Sequence, residues 1–281
     1  MQIFELNNGI NIPALGLGTF QMSPDQAQKA VVAALESGYR LLDTANAYLN
    51  EKAVGRGIKE SSVARQDIFL SSKLWPTVYQ DKTAVDKTLQ RLGTDYLDLL
   101  FLHQPAGDFM AGYRQLEQAY RDGKIKAIGI SNFHGEKLTQ LLEQAEIKPQ
   151  VIQVEAHPYY PQKDVRETLI PYGTRVMAWY PLGHGDKSLL NEPIFTKLAQ
   201  KYGKSNAQII LRWHVQMGFI VIPGSTNPAH IKDNADIFDF ELTADEMAEI
   251  AKIDQNKRYY IPNDAREEQY ARMQMDFEAQ K

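Results

Sequence analysis

Apolar stretches of strand length alternate with segments in which apolar residues recur at helical spacing, and the alternation runs along nearly the whole chain. Parallel neighbours cannot be joined by a tight turn, so this pattern marks a parallel sheet whose strands are linked by crossover helices. Eight runs fit strands: residues 15–18, 39–43, 68–73, 96–102, 126–130, 151–155, 176–179 and 219–222. Eight such strands suit a closed α/β architecture, the (β/α)8 TIM barrel.

The punctuation between runs agrees. Ser23-Pro24-Asp25 precedes an amphipathic stretch, Ser able to cap the helix and Pro fitting its first turn, and Gly38 ends it. Asn7-Asn8-Gly9 lies between two short extended runs and predicts an N-terminal β-hairpin laid across the barrel's closed end. No repeat or Ser/Pro/Gly-rich linker interrupts residues 1–281, which read as a single domain. Beyond Asp254 the charged and aromatic residues predict a C-terminal tail over the barrel with a short final helix, and residues 256–264 are within reach of a substrate.

Composition narrows the function. Thirty-one Lys plus Arg against 35 Asp plus Glu give a net charge of −4, which repels a phosphate backbone and argues against nucleic acid as a partner. The chain has no Cys, so thiolate chemistry, disulfides and zinc–thiolate sites are excluded. The six His are scattered singly with no HExxH pair, and no catalytic metal is expected. No apolar run approaches the ~18 residues needed to span a bilayer, and the first residues lack the features of a secretion signal. A cytoplasmic protein without a membrane partner is expected.

In a parallel barrel, chemistry gathers where strands end. YRLLDTANAY closes a strand in Asp43 and follows it with Tyr48, DIFLSSKLW closes one in Lys73, and YLDLLFLHQP closes one in His103. A lone strand-end Asp or Lys is more often a cap or a surface charge; four such groups at one mouth form an array. A tyrosine is a poor acid at neutral pH unless a cation favours its phenolate, a role open to Lys73, and Asp43 can keep that lysine charged. Neutral His103 can hydrogen-bond a carbonyl oxygen and aim it at Tyr48. The array suits carbonyl reduction.

The stretch LLDTANAYLNEKAVGRGI, with GLGTF at 16–20, IGISNF at 128–133, QVEAHP at 153–158 and IPGSTNPAHIKDN at 222–234, resembles the aldo-keto reductase family, in particular its bacterial 2,5-diketo-D-gluconate reductase-like members. The resemblance implies a catalytic tetrad of Asp43, Tyr48, Lys73 and His103 and NADPH as cofactor, with NADH as a second possibility. It places the cofactor along Gly18, Thr19, Phe20 and Asp43, with Ser131, Asn132 and Gln153 on the nicotinamide carboxamide and Trp179 stacked on its ring. Tyr180, Leu182, Gly183, Gly185 and Asp186 fall in the loop over the pyrophosphate, and Gly224, Ser225, Thr226, His230, Asp233 and Asn234 at the adenosine end. A small carbonyl substrate is implied among Phe20, Tyr48, Trp75, His103 and Gln104, and the implied state is a monomer.

Two positions depart from the family. Gln104 stands where the family usually has Trp after the histidine, which favours small polar carbonyls, dicarbonyls or keto-sugars. Gly224 and His230 stand where it usually has Lys and Arg, which weakens the grip on a 2′-phosphate unless Lys232 fills the gap. Two other functions are consistent with the residues: a non-catalytic NADP(H)-binding regulatory module, and a barrel hydrolase or isomerase using Asp43 and Lys73.

Overall fold

The computed structural model describes residues 1–281. β1 (Ile3–Glu5) and β2 (Asn11–Pro13) pair antiparallel, Ile3 opposite Pro13. Their turn depends on Gly9 at φ +83°, a left-handed conformation that a side chain disfavours. Eight parallel strands follow: β3 (Leu17–Gly18), β4 (Leu41–Asp43), β5 (Phe69–Leu74), β6 (Leu99–Leu102), β7 (Ile128–Ser131), β8 (Val151–Glu155), β9 (Arg175–Trp179) and β10 (Ile220–Val221). Each pairs with the next, and Leu15 bridges Val221 to close the ring, with Gly16 N–H donating to Val221 O at 2.8 Å. The predicted (β/α)8 barrel is present.

Strand alternation sorts the core into two parts. Leu41, Phe69, Leu99, Phe101, Val151, Met177 and Ile220 fill the barrel interior, where Leu6 and Ile12 of the hairpin meet them. Leu42, Leu70, Leu100, Leu102, Ile152 and Val176 point outward into a larger apolar layer shared with the helices. With Leu41 and Phe69 inside, the same period turns Asp43, Ser71 and Lys73 inward as well. Polar residues therefore end the strands above an apolar plug.

Element ends follow local chemistry. The helix Pro24–Glu36 starts at a capping box in which Ser23 and Gln26 exchange hydrogen bonds, and Gly38 follows it at φ +90°. The strand read as 96–102 begins only at Leu99, because Asp98 is occupied otherwise: its carboxylate accepts Leu70 N–H and Arg65, both at 3.0 Å. The tail carries the helix Asp264–Arg272 and a last turn Phe277–Ala279. It is fastened by Arg91, which donates to buried Glu51 and to Glu278, each at 2.6 Å. No helix is long and apolar enough to cross a membrane.

Candidate active site

Lys73 and Asp43 meet inside the barrel at its C-terminal end. Lys73 Nζ lies 2.5 Å from Asp43 Oδ2 and also donates to Thr44 O at 2.8 Å. Asp43 Oδ1 accepts from Ser71 Oγ at 2.7 Å and Gln153 Nε2 at 3.1 Å. The Lys73 and Asp43 side chains are 0% and 2% exposed. Burial pulls the Lys73 ammonium below its ordinary range, and Asp43 pushes back toward the charged form. Thr19, read as a cofactor contact, is fully buried, its hydroxyl donating to Asp43 O at 3.1 Å.

Tyr48 follows on the turn Asn46–Tyr48, and Asn46 Oδ1 accepts Trp75 N–H at 3.1 Å, tying this turn to the end of β5. Lys73 Nζ is 4.8 Å from the centre of the Tyr48 ring. His103 stands edge-on to Tyr48 with ring centres 5.5 Å apart, and Trp75 stands edge-on to His103 at 5.1 Å. Lys73 is expected to lower the Tyr48 phenol, yet the net displacement of the phenol runs upward. Burial first, then the charges of Asp43 and Tyr180, push it well above the usual tyrosine range. His103 moves the other way, held well below the usual histidine range by burial and by Lys73, and is neutral.

Asp43, Tyr48 and His103 line a cleft of about 820 Å³, inside the size range of small-molecule sites, with Lys73 behind it. Its wall includes Gly18, Phe20, Tyr48, Trp75, His103, Gln104, Ser131, Asn132, Gln153, Trp179, Tyr180, Leu182, Gly185, Gly224, Ser225 and Thr226. No Lys or Arg is on it. Asn132 adopts φ +66°, donates to His103 O at 3.1 Å and accepts Trp179 Nε1–H at 3.0 Å, so one amide fixes both the histidine loop and the indole. A Cβ on Gly224 would sit 3.0 Å from Gly18 O, and one on Gly18 would sit 2.8 Å from Ile222 O, so backbone runs close to backbone at these two points. Gly185 faces open space, which lets a ligand approach backbone there.

Several expected contacts do not reach the wall. Gly183 packs under Leu189 and Tyr259. Asp186 turns to the tail, accepting from Tyr259 Oη at 2.6 Å and Lys257 Nζ at 2.9 Å, and these bonds hold its carboxyl well below the ordinary range. His230 and Asp233 are exposed on the helix Pro228–Ala235, as is Lys232, while Asn234 is buried within it. The cleft wall includes Ser225 and Thr226 but none of these helix residues.

The fold and the sequence are matched by known proteins. A model of the Aldo/keto reductase family matches residues 14–255. This chain belongs to that family. It is similar to the glyoxal reductase of Bacillus subtilis, 45% identical over 259 residues, covering 90% of this chain and 93% of that one. Methylglyoxal reductase DkgA of Escherichia coli is 37% identical over 260 residues, covering 91% and 94%. Among solved structures, an aldo/keto reductase from Brucella melitensis superposes with a TM-score of 0.86 at 42% identity, covering 90% of this chain and 99% of that one. An aldo-keto reductase of Bombyx mori in complex with NADP gives 0.88 at 33% identity, covering 95% and 97%. As a member of the family this aldo/keto reductase is an oxidoreductase of carbonyl compounds.

The structure adds wall residues that this aldo/keto reductase does not advertise by spacing. Met22, Ile222, Tyr260, Tyr270, Met273 and Met275 line the cleft, the last four from the tail. Tyr260 falls in the segment read as within reach of the substrate; the methionines carry no local signal. Glu155, which shares a strand face with Gln153 and is open to a ligand by its spacing alone, is used by the tail. It accepts the backbone N–H groups of Tyr259 at 2.6 Å and Tyr260 at 2.9 Å and contacts His157 Nε2 at 3.0 Å.

Proposed function

We propose that this aldo/keto reductase reduces small polar aldehydes and ketones, among them dicarbonyls and keto-sugars, with NADPH as the main cofactor, NADH as an accepted alternative and Tyr48 as general acid. The observation that carries this reading is the facing of Tyr48 and His103 across the cleft end, backed by the buried Lys73–Asp43 pair. The names of the two bacterial relatives, glyoxal reductase and methylglyoxal reductase, support the substrate class.

The residues fit a nicotinamide dinucleotide. The cleft is large enough, its floor at Gly18 and Gly224 allows close backbone approach, and Ser131, Asn132, Gln153 and Trp179 supply polar atoms and a flat ring midway. When bound, a reduced nicotinamide supplies the hydride. Ser131, Asn132 and Gln153 would hold its carboxamide and Trp179 its ring face. His103, neutral, donates from Nε2 to the carbonyl oxygen and polarises it. Tyr48 keeps its proton because burial and Asp43 disfavour the phenolate, and it delivers that proton to the oxygen as negative charge develops there. Lys73 offsets charge on the tyrosine as the proton leaves, and Asp43 holds the lysine in place. Residues 1–281 would act as one domain and as a monomer.

Tyr48→Phe keeps the ring and deletes the donor. Reduction should fall by at least ~10²-fold while cofactor still quenches Trp179 fluorescence. Turnover close to wild type would sink the assignment. Wild-type protein that binds cofactor yet oxidises none with a broad carbonyl panel would favour a regulatory binding module.

A further inference from the structure

Glu155 ends β8 with its side chain buried, and the reaction proposed above does not use it. Its carboxylate grips the tail. Oε1 accepts Tyr259 N–H at 2.6 Å and stands 3.0 Å from His157 Nε2, while Oε2 accepts Tyr260 N–H at 2.9 Å. A carboxylate makes hydrogen bonds about twice as strong as a neutral acceptor does, so two successive amides on one side chain fix a segment that has no helix or strand of its own. The approach to it is fixed as well, since Gln255 N–H and Lys257 N–H both donate to Tyr159 O at 3.1 Å.

The two clamped tyrosines reach different parts of the site. Tyr259 Oη donates to Asp186 Oδ2 at 2.6 Å, where Lys257 Nζ also donates at 2.9 Å. Asp186 directly follows the turn Gly183–Gly185, and Leu182, His184 and Gly185 line the cleft. Tyr259 Oη also packs against that turn, 3.1 Å from where a Cβ on Gly183 would stand. Tyr260 instead lies on the cleft wall, its ring edge-on to Trp179 with centres 5.9 Å apart. Glu155 and Trp179 are register partners on β8 and β9, so the clamp and the indole stand side by side.

One carboxylate is thereby linked to a loop of the cleft and to the part of the wall that the tail supplies, though it is not on the wall itself. A dinucleotide seated along the cleft would pass Leu182 and Gly185, and a loop tied to the docked tail releases it less readily than a free one. We propose that Glu155 is a positioning residue: through Tyr259 and Asp186 it keeps this loop against the cofactor, and through Tyr260 it seats the tail's share of the wall for the carbonyl compound. Cofactor release and carbonyl binding then answer to one side chain that touches neither ligand. The proposal rests on the reductase reading and adds to it a residue outside the strand-end tetrad.

The test measures NADPH release by stopped flow, from the loss of NADPH emission excited through tryptophan with excess NADP+ as the chase, and separately the KM for methylglyoxal. Tyr259→Phe removes only the hydroxyl that reaches Asp186, so release should quicken by about 10-fold or more, the scale of one hydrogen bond to a charged group, with KM within about twofold of wild type. Glu155→Gln keeps the volume but turns an N–H donor toward one tail amide. Release should quicken at least as much, and KM should also rise by about 3-fold or more, the scale of one neutral hydrogen bond. Adding Tyr259→Phe to Glu155→Gln should quicken release little further, because both act on one connection. Faster tryptic cleavage at Lys257 or Arg258 in Glu155→Gln would report the freed segment without any turnover. Unchanged release in Tyr259→Phe overturns the proposal, whether or not Glu155→Gln folds. So does a Glu155→Gln protein that is less stable in urea yet keeps wild-type release and KM, the signature of a purely structural anchor. Quickened release in a protein that reduces no carbonyl keeps the link to the loop and removes the reductase reading instead.

Discussion

Lys73 Nζ and Asp43 Oδ2 are 2.5 Å apart inside the barrel, with both side chains buried. A buried pair of this kind contributes little net stability, since desolvation offsets most of the attraction, yet removing one partner strands the other charge. Lys73→Met should therefore destabilise the protein by about 3–5 kcal/mol in urea unfolding. Lys73→Met combined with Asp43→Asn should recover part of that loss while reduction stays abolished. A double variant no more stable than the single one would show that the cost lies in packing and not in the stranded carboxylate.

The opposite displacements of Tyr48 and His103 predict a broad pH profile. Tyr48 is pushed up and holds its proton through the neutral and alkaline range; His103 is pushed down and stays uncharged well into acid. kcat/KM, which reports the free enzyme, should not lose its proton donor until pH exceeds the usual tyrosine value of about 10. A limb centred between roughly pH 7 and 9 that disappears in Tyr48→Phe would contradict the upward displacement of the phenol.

Acid stability has a separate source in His214. Its ring nitrogens lie 2.8 Å from Ile210 O and 3.0 Å from Ala156 O, and burial lowers its pKa to about 4 despite those bonds. Between that value and the ordinary histidine range, the unfolded chain binds a proton that the folded one refuses, so stability falls as pH falls. The loss attributable to this group should reach on the order of 3 kcal/mol by pH 4. In His214→Gln, urea midpoints at pH 7, 5.5 and 4.5 should fall less steeply than in wild type; parallel curves would place the acid sensitivity elsewhere.

Cofactor choice follows from the absence of Lys and Arg on the cleft wall. A charge-assisted hydrogen bond to a 2′-phosphate is worth roughly 1.5–3 kcal/mol, and here Ser225 and Thr226 offer hydroxyls only. NADPH should be favoured over NADH by less than the thousandfold scale. His230→Arg, on an exposed helical position, should widen the preference by about 10-fold or more in fluorescence titrations. Gly224→Lys is a poorer probe, because its Cβ would press on Gly18 O. A wild-type preference above a thousandfold, unmoved by His230→Arg, would place the phosphate elsewhere.

Much of the barrel was legible because its two periodicities are written separately. Strands announce themselves as short apolar runs, and the inward positions of Asp43, Lys73, Gln153 and Glu155 follow from counting by two along them. The sequence also brings Tyr48 and His103 to strand ends. It does not say how burial and neighbouring charges combine: Lys73 reads as the activator of Tyr48, while burial and Asp43 push the phenol upward. Nor does spacing reveal contacts across the fold. Glu155 and Tyr259 are 104 residues apart, and only the docked tail explains why a carboxylate points into the barrel. Met273 and Met275 reach the cleft for the same reason.

The order of these parts along the chain also sets an order in time. Asp43, Tyr48, Lys73 and His103 are all made early, whereas Val221, which closes the ring on Leu15, and Tyr260 to Met275, which wall the cleft, are made near the end. During synthesis the early residues have no sealed interior, so Lys73 and Asp43 remain hydrated and their contact is worth little. Sealing the interior around them waits on ring closure between the strands most distant in sequence, a slow, non-local step.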